Sequence, residues 1–242
     1  MKICVAQTRP IKGDILANIS NHKTLINLAI TNKADIIFFP ELSITGYEPE
    51  LVQNLATDKE DKRLEDFQKM SDSNKITISI GLPTKSDSGI LISMIIFQPN
   101  KPRQTYSKQH LHSDEFPYFV CGDKQLILTL DNIKIAPAIC YESLLTEHSE
   151  NANKLGTEVY VASVAKAKNG LDKALKHFPD IAKKYSMTVL MSNCVGPCDN
   201  FESVGNSAVW NNKGMLIGQL SHKDEGLLIF DTVTEEIFEK KI

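Results

Sequence analysis

The sequence predicts a single α/β domain with mixed sheets, and three observations carry that expectation. Short apolar runs alternate with segments of helical period in the first half of the chain, and the alternation returns in the second half. Several neighbouring apolar runs are joined by turn-forming residues alone, as in hairpins: Lys85-Ser-Asp-Ser-Gly89, Asp131-Asn132 and Asn211-Asn-Lys-Gly214. No Gly/Ser-rich linker, low-complexity tract or internal repeat divides residues 1–242, so one domain is expected over the whole length.

Residues 2–7 form a first strand. Apolar spacing through Ile19, Leu25, Ile26 and Ile30 marks residues 15–32 as a helix. A second strand is expected at 35–39 and an amphipathic helix at about 60–73. Residues 76–81 and 90–98 are β-rich and meet across the Lys85–Gly89 turn. Residues 126–130 and 133–139 make a second hairpin-like pair. A strand at 158–163, a lysine-rich helix at about 170–186 and a strand at 188–193 follow. A hairpin at 207–210 and 216–220 and a strand at 226–231 complete the pattern.

The composition narrows the function classes. A net charge of −3 with no dominant basic cluster gives no electrostatic case for nucleic acid or an anionic membrane. No apolar stretch approaches the roughly 20 residues of a membrane span. The first residues, Met1-Lys-Ile-Cys-Val-Ala-Gln7, lack the apolar core of a signal peptide and read as a strand. Five cysteines, at 4, 121, 140, 194 and 198, are an odd number that suits a reduced cytoplasmic protein better than a disulfide framework. Cys4 lies inside an apolar run and is expected in the core.

Three apolar-to-polar junctions carry chemistry. Lys134-Ile-Ala-Pro-Ala-Ile-Cys140 delivers a thiol at the end of a strand, and Ile36-Ile-Phe-Phe-Pro-Glu41 delivers a carboxylate in the same way. Thr105-Tyr-Ser-Lys108 ends on an ammonium. A strand's carboxyl end is where α/β proteins commonly place reacting groups. Thiol, carboxylate and ammonium together are the parts of a nucleophilic hydrolase.

These segments resemble the nitrilase-type carbon–nitrogen hydrolases over essentially the whole length. The resemblance rests on Phe38-Phe-Pro-Glu-Leu42 with Thr45-Gly-Tyr47, on Tyr106-Ser-Lys-Gln-His-Leu111, on Asp114-Glu-Phe-Pro-Tyr-Phe-Val-Cys-Gly-Asp123 and on Ile139-Cys-Tyr-Glu142, in that order. It implies a four-layer α-β-β-α sandwich and a Glu-Lys-Cys triad. By motif position these are Glu41, Lys108 and the nucleophile Cys140, with a further active-site glutamate at Glu115. It also implies a homodimer or higher homo-oligomer, a small linear amide or N-carbamoyl compound and water as reactants, and neither metal nor cofactor.

The chemistry asks for such groups. Thiolate is the reactive form of cysteine, so an ammonium at Lys108 favours it while Glu41 accepts the proton. Glu41 then returns a proton to the departing amine and later activates water. Lys108 and the backbone N–H of Tyr141 are placed to stabilise a tetrahedral oxyanion, and Glu115 to orient Lys108. Tyr47, Glu142 and Ala165 are expected to line the pocket.

Other residues admit other readings. His110 and His112, alternating on a strand beside Asp114 and Glu115, would point the same way and suggest a metal-dependent hydrolase. Cys194 and Cys198 flank Val195-Gly-Pro197, read as a tight turn, and lack the second pair of a zinc site. Lys166 or Lys168, after the strand at 158–163, is a candidate for recognising an acidic substrate group; a solvated helix face is the plainer reading.

The chain departs from the family around the pocket. It has Glu142-Ser-Leu-Leu-Thr-Glu147 where many family amidases carry an arginine. It has Ser163-Val-Ala-Lys166 in place of an Asn-Pro-(small)-Trp-like stretch, Ile181-Ala182 and Lys184-Tyr185 in the following helix, and Leu91-Ile92 in the strand near 90. These positions shape specificity. Cys140-Tyr-Glu142 is also reminiscent of the branch that transfers acyl groups to amines, so acyl transfer and a catalytically silent ligand-binding fold stand beside hydrolysis.

Overall fold

Strand residues alternate between two apolar environments, and that alternation dictates the architecture. In the first strand, Lys2–Gln7, Ile3 and Val5 face one core while Cys4 and Ala6 face another. Ile36 and Phe38 share the first environment, Ile37 and Phe39 the second. Ile135, Ile139, Val159 and Val161 join the first core from a second sheet, whereas Ala136, Ala138, Tyr160 and Ala162 turn to a third. A strand buried on both faces reads as a continuous apolar run, which is how these segments read in the sequence.

The computed structural model describes residues 1–242. It is a four-layer α-β-β-α sandwich of two mixed sheets. The seven-stranded sheet has three central strands in parallel, Lys2–Gln7, Ile36–Phe38 and Thr77–Ser86. Antiparallel strands flank them: Gly226–Asp231 and Ile237–Lys241 on one side, Gly89–Phe97 and Gln104–Ser107 on the other. The six-stranded sheet repeats the scheme around parallel Ile133–Ile139, Val159–Val164 and Thr188–Asn193. The central core lies between the sheets. Helices Ile15–Thr31 and Glu65–Asn74 cover the first sheet, and Thr146–Lys154 and Lys168–Tyr185 the second.

Local chemistry sets the element ends. Asp14 caps the first helix by accepting a bond from the Ala17 N–H at 3.0 Å. Lys75 and Ser186 end the helices Glu65–Asn74 and Lys168–Tyr185 in left-handed conformation. Asp131 and Asn132, both at positive φ, form the tight turn between Leu128–Leu130 and Ile133–Ile139.

Several elements lie outside the sequence expectation. The helix Thr146–Lys154 buries His148, Ser149 and Ala152, so it presents no apolar stripe. Ile237–Lys241 is an edge strand rich in charge, as exposed edges tend to be. Val195-Gly-Pro197 is not a tight turn. Val195–Cys198 is a strand paired with Phe201–Val204, and the chain reverses at Asp199-Asn200. No helix is long and apolar enough to cross a membrane.

Two serines stitch the sheets together at the carboxyl ends of the central strands. Ser163 donates to the Phe39 carbonyl at 2.8 Å, and Ser192 to the Ala6 carbonyl at 2.6 Å. The loop after Ile36–Phe38 then folds back over Gly81. A Cβ there would lie 2.5 Å from both the Pro40 carbonyl oxygen and the Leu42 nitrogen. We expect Gly81→Ala to cost about 2 kcal/mol through this overpacking. Equilibrium urea unfolding checks it; an unchanged midpoint would show that the loop yields freely.

Candidate active site

Three chain segments converge where the two sheets meet. Glu41 sits in the turn after Ile36–Phe38, and Lys108 directly follows Gln104–Ser107. Cys140 opens the short helix Cys140–Leu144 at the end of Ile133–Ile139. It is held at φ +48°, a left-handed conformation that costs a non-glycine residue energy. Such a strand-to-helix turn projects a side chain away from both elements, as nucleophile elbows do.

Lys108 is fully buried and bridges two carboxylates. Its Nζ is 2.8 Å from Glu41 Oε1 and 2.6 Å from Glu115 Oε1. Glu115 is fixed in turn by the Tyr47 hydroxyl at 3.0 Å and by the His112 N–H, which donates to Oε2 at 2.7 Å. Oε2 of Glu41 is buried without any hydrogen-bond partner. Burial raises the Glu41 pKa against the pull of Lys108. Burial alone would depress Lys108, but Glu41, Cys140 and Glu115 outweigh it and keep the ammonium charged.

Cys140 feels the pull of Lys108 that the sequence predicts, but burial outweighs it. Burial pushes its thiol up to about 11, and the Glu41 charge adds to the rise. Lys166 and Lys108 pull it down without prevailing. Lys108 thus favours the thiolate without prevailing over burial, and loss of the thiol proton calls for a base.

The cavity over Cys140 holds about 350 Å³ and is lined by Tyr47, Tyr141, Ala165, Lys166 and Phe201 among others. Tyr141 lies in the first turn of Cys140–Leu144, where backbone N–H groups have no acceptor within the helix. Tyr47 and Ala165 thus lie where the sequence puts them. Glu142 does not line the cavity. Its carboxylate is fully buried and occupied: Oε1 accepts from Ile139 N at 2.7 Å and Tyr106 OH at 2.5 Å, Oε2 from Gln109 N at 2.7 Å. It ties the cysteine turn to the segment carrying Lys108.

His148 extends that tie. Tyr160 OH donates to its Nδ1 at 2.8 Å, and its Nε2–H donates to Tyr106 OH at 2.9 Å. Burial lowers the His148 pKa to about 4, so the ring is neutral and this tautomer follows from the Tyr106 hydroxyl's use of its own proton on Glu142.

The histidines considered as ligands do not share a site. Residues 109 and 110 form a bend and 111–112 no regular structure, with Gln109 and His110 giving their N–H groups to Glu142 rather than to a strand. His112 pairs with Asp114 at the cavity mouth, while His110 lines a different cleft with His148. Cys194 and Cys198 are buried with their sulphurs 3.7 Å apart. Of the two lysines, Lys168 is exposed on Asp172. Lys166 enters the cavity, 3.8 Å from Cys140 Sγ. The sequence assigns no role to Ser163, Ser192, Tyr106 or His148, whose tie between the two sheets rests on contacts distant in sequence.

The family profile of the carbon–nitrogen hydrolases matches residues 2–239. The chain belongs to the carbon–nitrogen hydrolase family. It superposes on the NitN amidase from Neterenkonia sp. AN1 with a TM-score of 0.87, at 21% identity, over 96% of this chain and 92% of that one. A cysteine-to-alanine mutant of the amidase from Nesterenkonia sp. AN1 in complex with butyramide gives 0.88 at 20% identity, over 97% and 92%. In sequence, the glutamine-dependent NAD(+) synthetase of Thermotoga maritima is 24% identical over 98% of this chain and 42% of its own length. That of Acinetobacter baylyi is 26% identical over 100% and 46%. The chain thus spans less than half of these relatives.

The charge arrangement makes one stability prediction. Lys108→Met leaves Glu41 and Glu115 buried without a counter-ion, and we expect a loss of about 3–5 kcal/mol at pH 7. Glu41, raised by burial and no longer pulled down by Lys108, would then hold its proton more tightly folded than unfolded, so the deficit shrinks as pH falls toward 5. Urea melts of wild type and variant at pH 7 and pH 5 test it; a deficit that grows on acidification would contradict this.

Proposed function

We propose that the protein hydrolyses a small primary amide through a thioester on Cys140. The observation that carries this reading is the unpartnered, buried Glu41 Oε2 beside a thiol that burial keeps protonated. A base with one free lone-pair site and a raised pKa is matched to removing the proton of such a thiol.

The steps balance without any further reactant than water. Sγ bonds to the amide carbon as the thiol proton passes to Glu41. The carbonyl oxygen takes up the electron pair and is stabilised by Lys108 and the Tyr141 N–H. The C–N bond breaks, Glu41 returns the proton, and ammonia leaves. Water then adds to the thioester with its proton passing to Glu41. The C–S bond breaks, a carboxylic acid is released and the thiol is restored.

Lys108 stays charged throughout because Glu115 holds it when Glu41 is protonated. Glu115 is a positioning residue in this scheme, fixed by Tyr47 and the His112 N–H. The named relatives support the class of bond: butyramide is a primary amide, and glutamine carries one in its side chain. An amine in place of water in the second half would make the same intermediate an acyl donor. Hydroxamate formation with added hydroxylamine measures that partition.

Ammonia release from short aliphatic primary amides tests the reading. Wild type should be active, and Cys140→Ala should lose at least about 10³-fold, since the covalent route is removed. Activity surviving in Cys140→Ala would overturn the thioester. The pH profile gives an independent check. Glu41 must be ionised to act, so kcat/KM should fall on the acid side with a midpoint above the ordinary glutamate value of about 4.3. A midpoint at or below that value would remove Glu41 as the base.

A further inference from the structure

Lys166 is a buried cation of the cavity that the proposed reaction leaves unused. The residue is only 4% exposed, yet its ammonium reaches no carboxylate within ion-pair distance. Its one hydrogen-bond partner is Cys140 Sγ, at 3.8 Å. Lys108, by contrast, holds both Glu41 and Glu115. The backbone pins Lys166 where it is. Its N–H donates to Asn193 Oδ1 at 2.9 Å, and its carbonyl accepts from Ser203 Oγ at 3.2 Å and Val204 N at 3.1 Å. Its stem runs beside Gly170, which offers no side chain to obstruct it.

A buried ammonium without an anion is costly unless something supplies one. The sulphur does not supply it at rest, because burial keeps Cys140 protonated. The oxyanion of the reaction is already served by Lys108 and Tyr141. Of the two carboxylates in the cavity lining, Glu115 is held by Lys108 and exposed Asp114 pairs with His112, and neither forms an ion pair with Lys166. Tyr47, Leu144, Ala165 and Phe201 make much of the remaining wall apolar. Lys173, which is exposed, also lines the cavity.

We propose that Lys166 is a specificity-determining residue that binds a carboxylate of the substrate, so that the favoured amides are short monoamides of dicarboxylic acids. This rests on the amide hydrolysis proposed above. The 3.8 Å separation from Sγ puts the carboxylate within a few bonds of the scissile carbon. That separation favours a short acyl chain, which the cavity of about 350 Å³ accommodates. Lysine suits this use as a compact charge on a flexible stem, reaching a carboxylate that need not be held in two-point geometry.

Two measurements on wild type and Lys166→Met test it, with Lys166→Gln as a second variant and circular dichroism confirming that each is folded. The first compares kcat/KM for succinamate with that for butyramide, which differ by a carboxylate in place of a methyl group. The second compares alkylation of Cys140 by iodoacetate and by iodoacetamide, followed on the Cys140 peptide by mass spectrometry. Taking the ratio of the two reagents cancels any change in thiol reactivity. Removing the charge should lower both anion-over-neutral ratios at least about tenfold, the scale of a hydrogen bond to a charged group.

Equal losses on both amides, with an unmoved alkylation ratio, would overturn the inference and assign Lys166 to the thiol or the oxyanion. A lowered alkylation ratio in a protein that hydrolyses neither amide would keep the anion site and sink the amidase reading. Hydrolysis of both amides by wild type with neither ratio moved would do the reverse.

Discussion

The Glu41–Lys108–Glu115 ion cluster is the constraint on which the rest of this structure depends. Three charges lie out of water, and an ammonium removed from solvent persists only if its partners approach closely and stay. Closeness is supplied from three separate segments of chain, so each must be fixed independently. Gly81 lets the Glu41 loop press against its neighbouring strand. Gly122, whose N–H donates to the Lys108 carbonyl at 2.7 Å, packs so tightly on Ser107 that a side chain there would collide with its carbonyl. Tyr47 and the His112 N–H leave the Glu115 carboxylate little freedom.

The second sheet must then bring a thiol to this cluster at a fixed distance. Glu142 does so from the side, bonding both the turn that holds Cys140 and the segment that follows Lys108. Ser163 and Ser192 do so from below by linking the sheets at the strand ends. A buried carboxylate with every lone pair engaged rigidifies what it touches. The left-handed backbone of Cys140 is held in place by these surroundings, which supply the energy that the conformation costs.

Much of this was legible in the sequence because strands buried on both faces announce themselves as apolar runs. The polar residues that end those runs, Glu41, Lys108 and Cys140, stand out by contrast. The turn at Asp131-Asn132 was legible for an equally local reason, since both residues accept positive φ. Thr146–Lys154 was not, because its inward face carries His148 and Ser149 and owes its burial to hydrogen bonds. Glu142 was misplaced for a related reason: two residues beyond the cysteine, it takes its bonds from a segment some thirty positions earlier.

The sequence by itself determined the layer order and the position of the chemistry. The α/β class and the polar groups at strand ends follow from local pattern, while the layer order and the triad assignment came from the resemblance to the nitrilase-type hydrolases. Only the tertiary structure decided the protonation of Cys140, the orphaned Oε2 of Glu41, the inward turn of Glu142 and the entry of Lys166 in place of Lys168. These depend on desolvation and on which distant groups share a cavity. Electrostatic energies in a buried site are set by separations in space that sequence spacing does not encode.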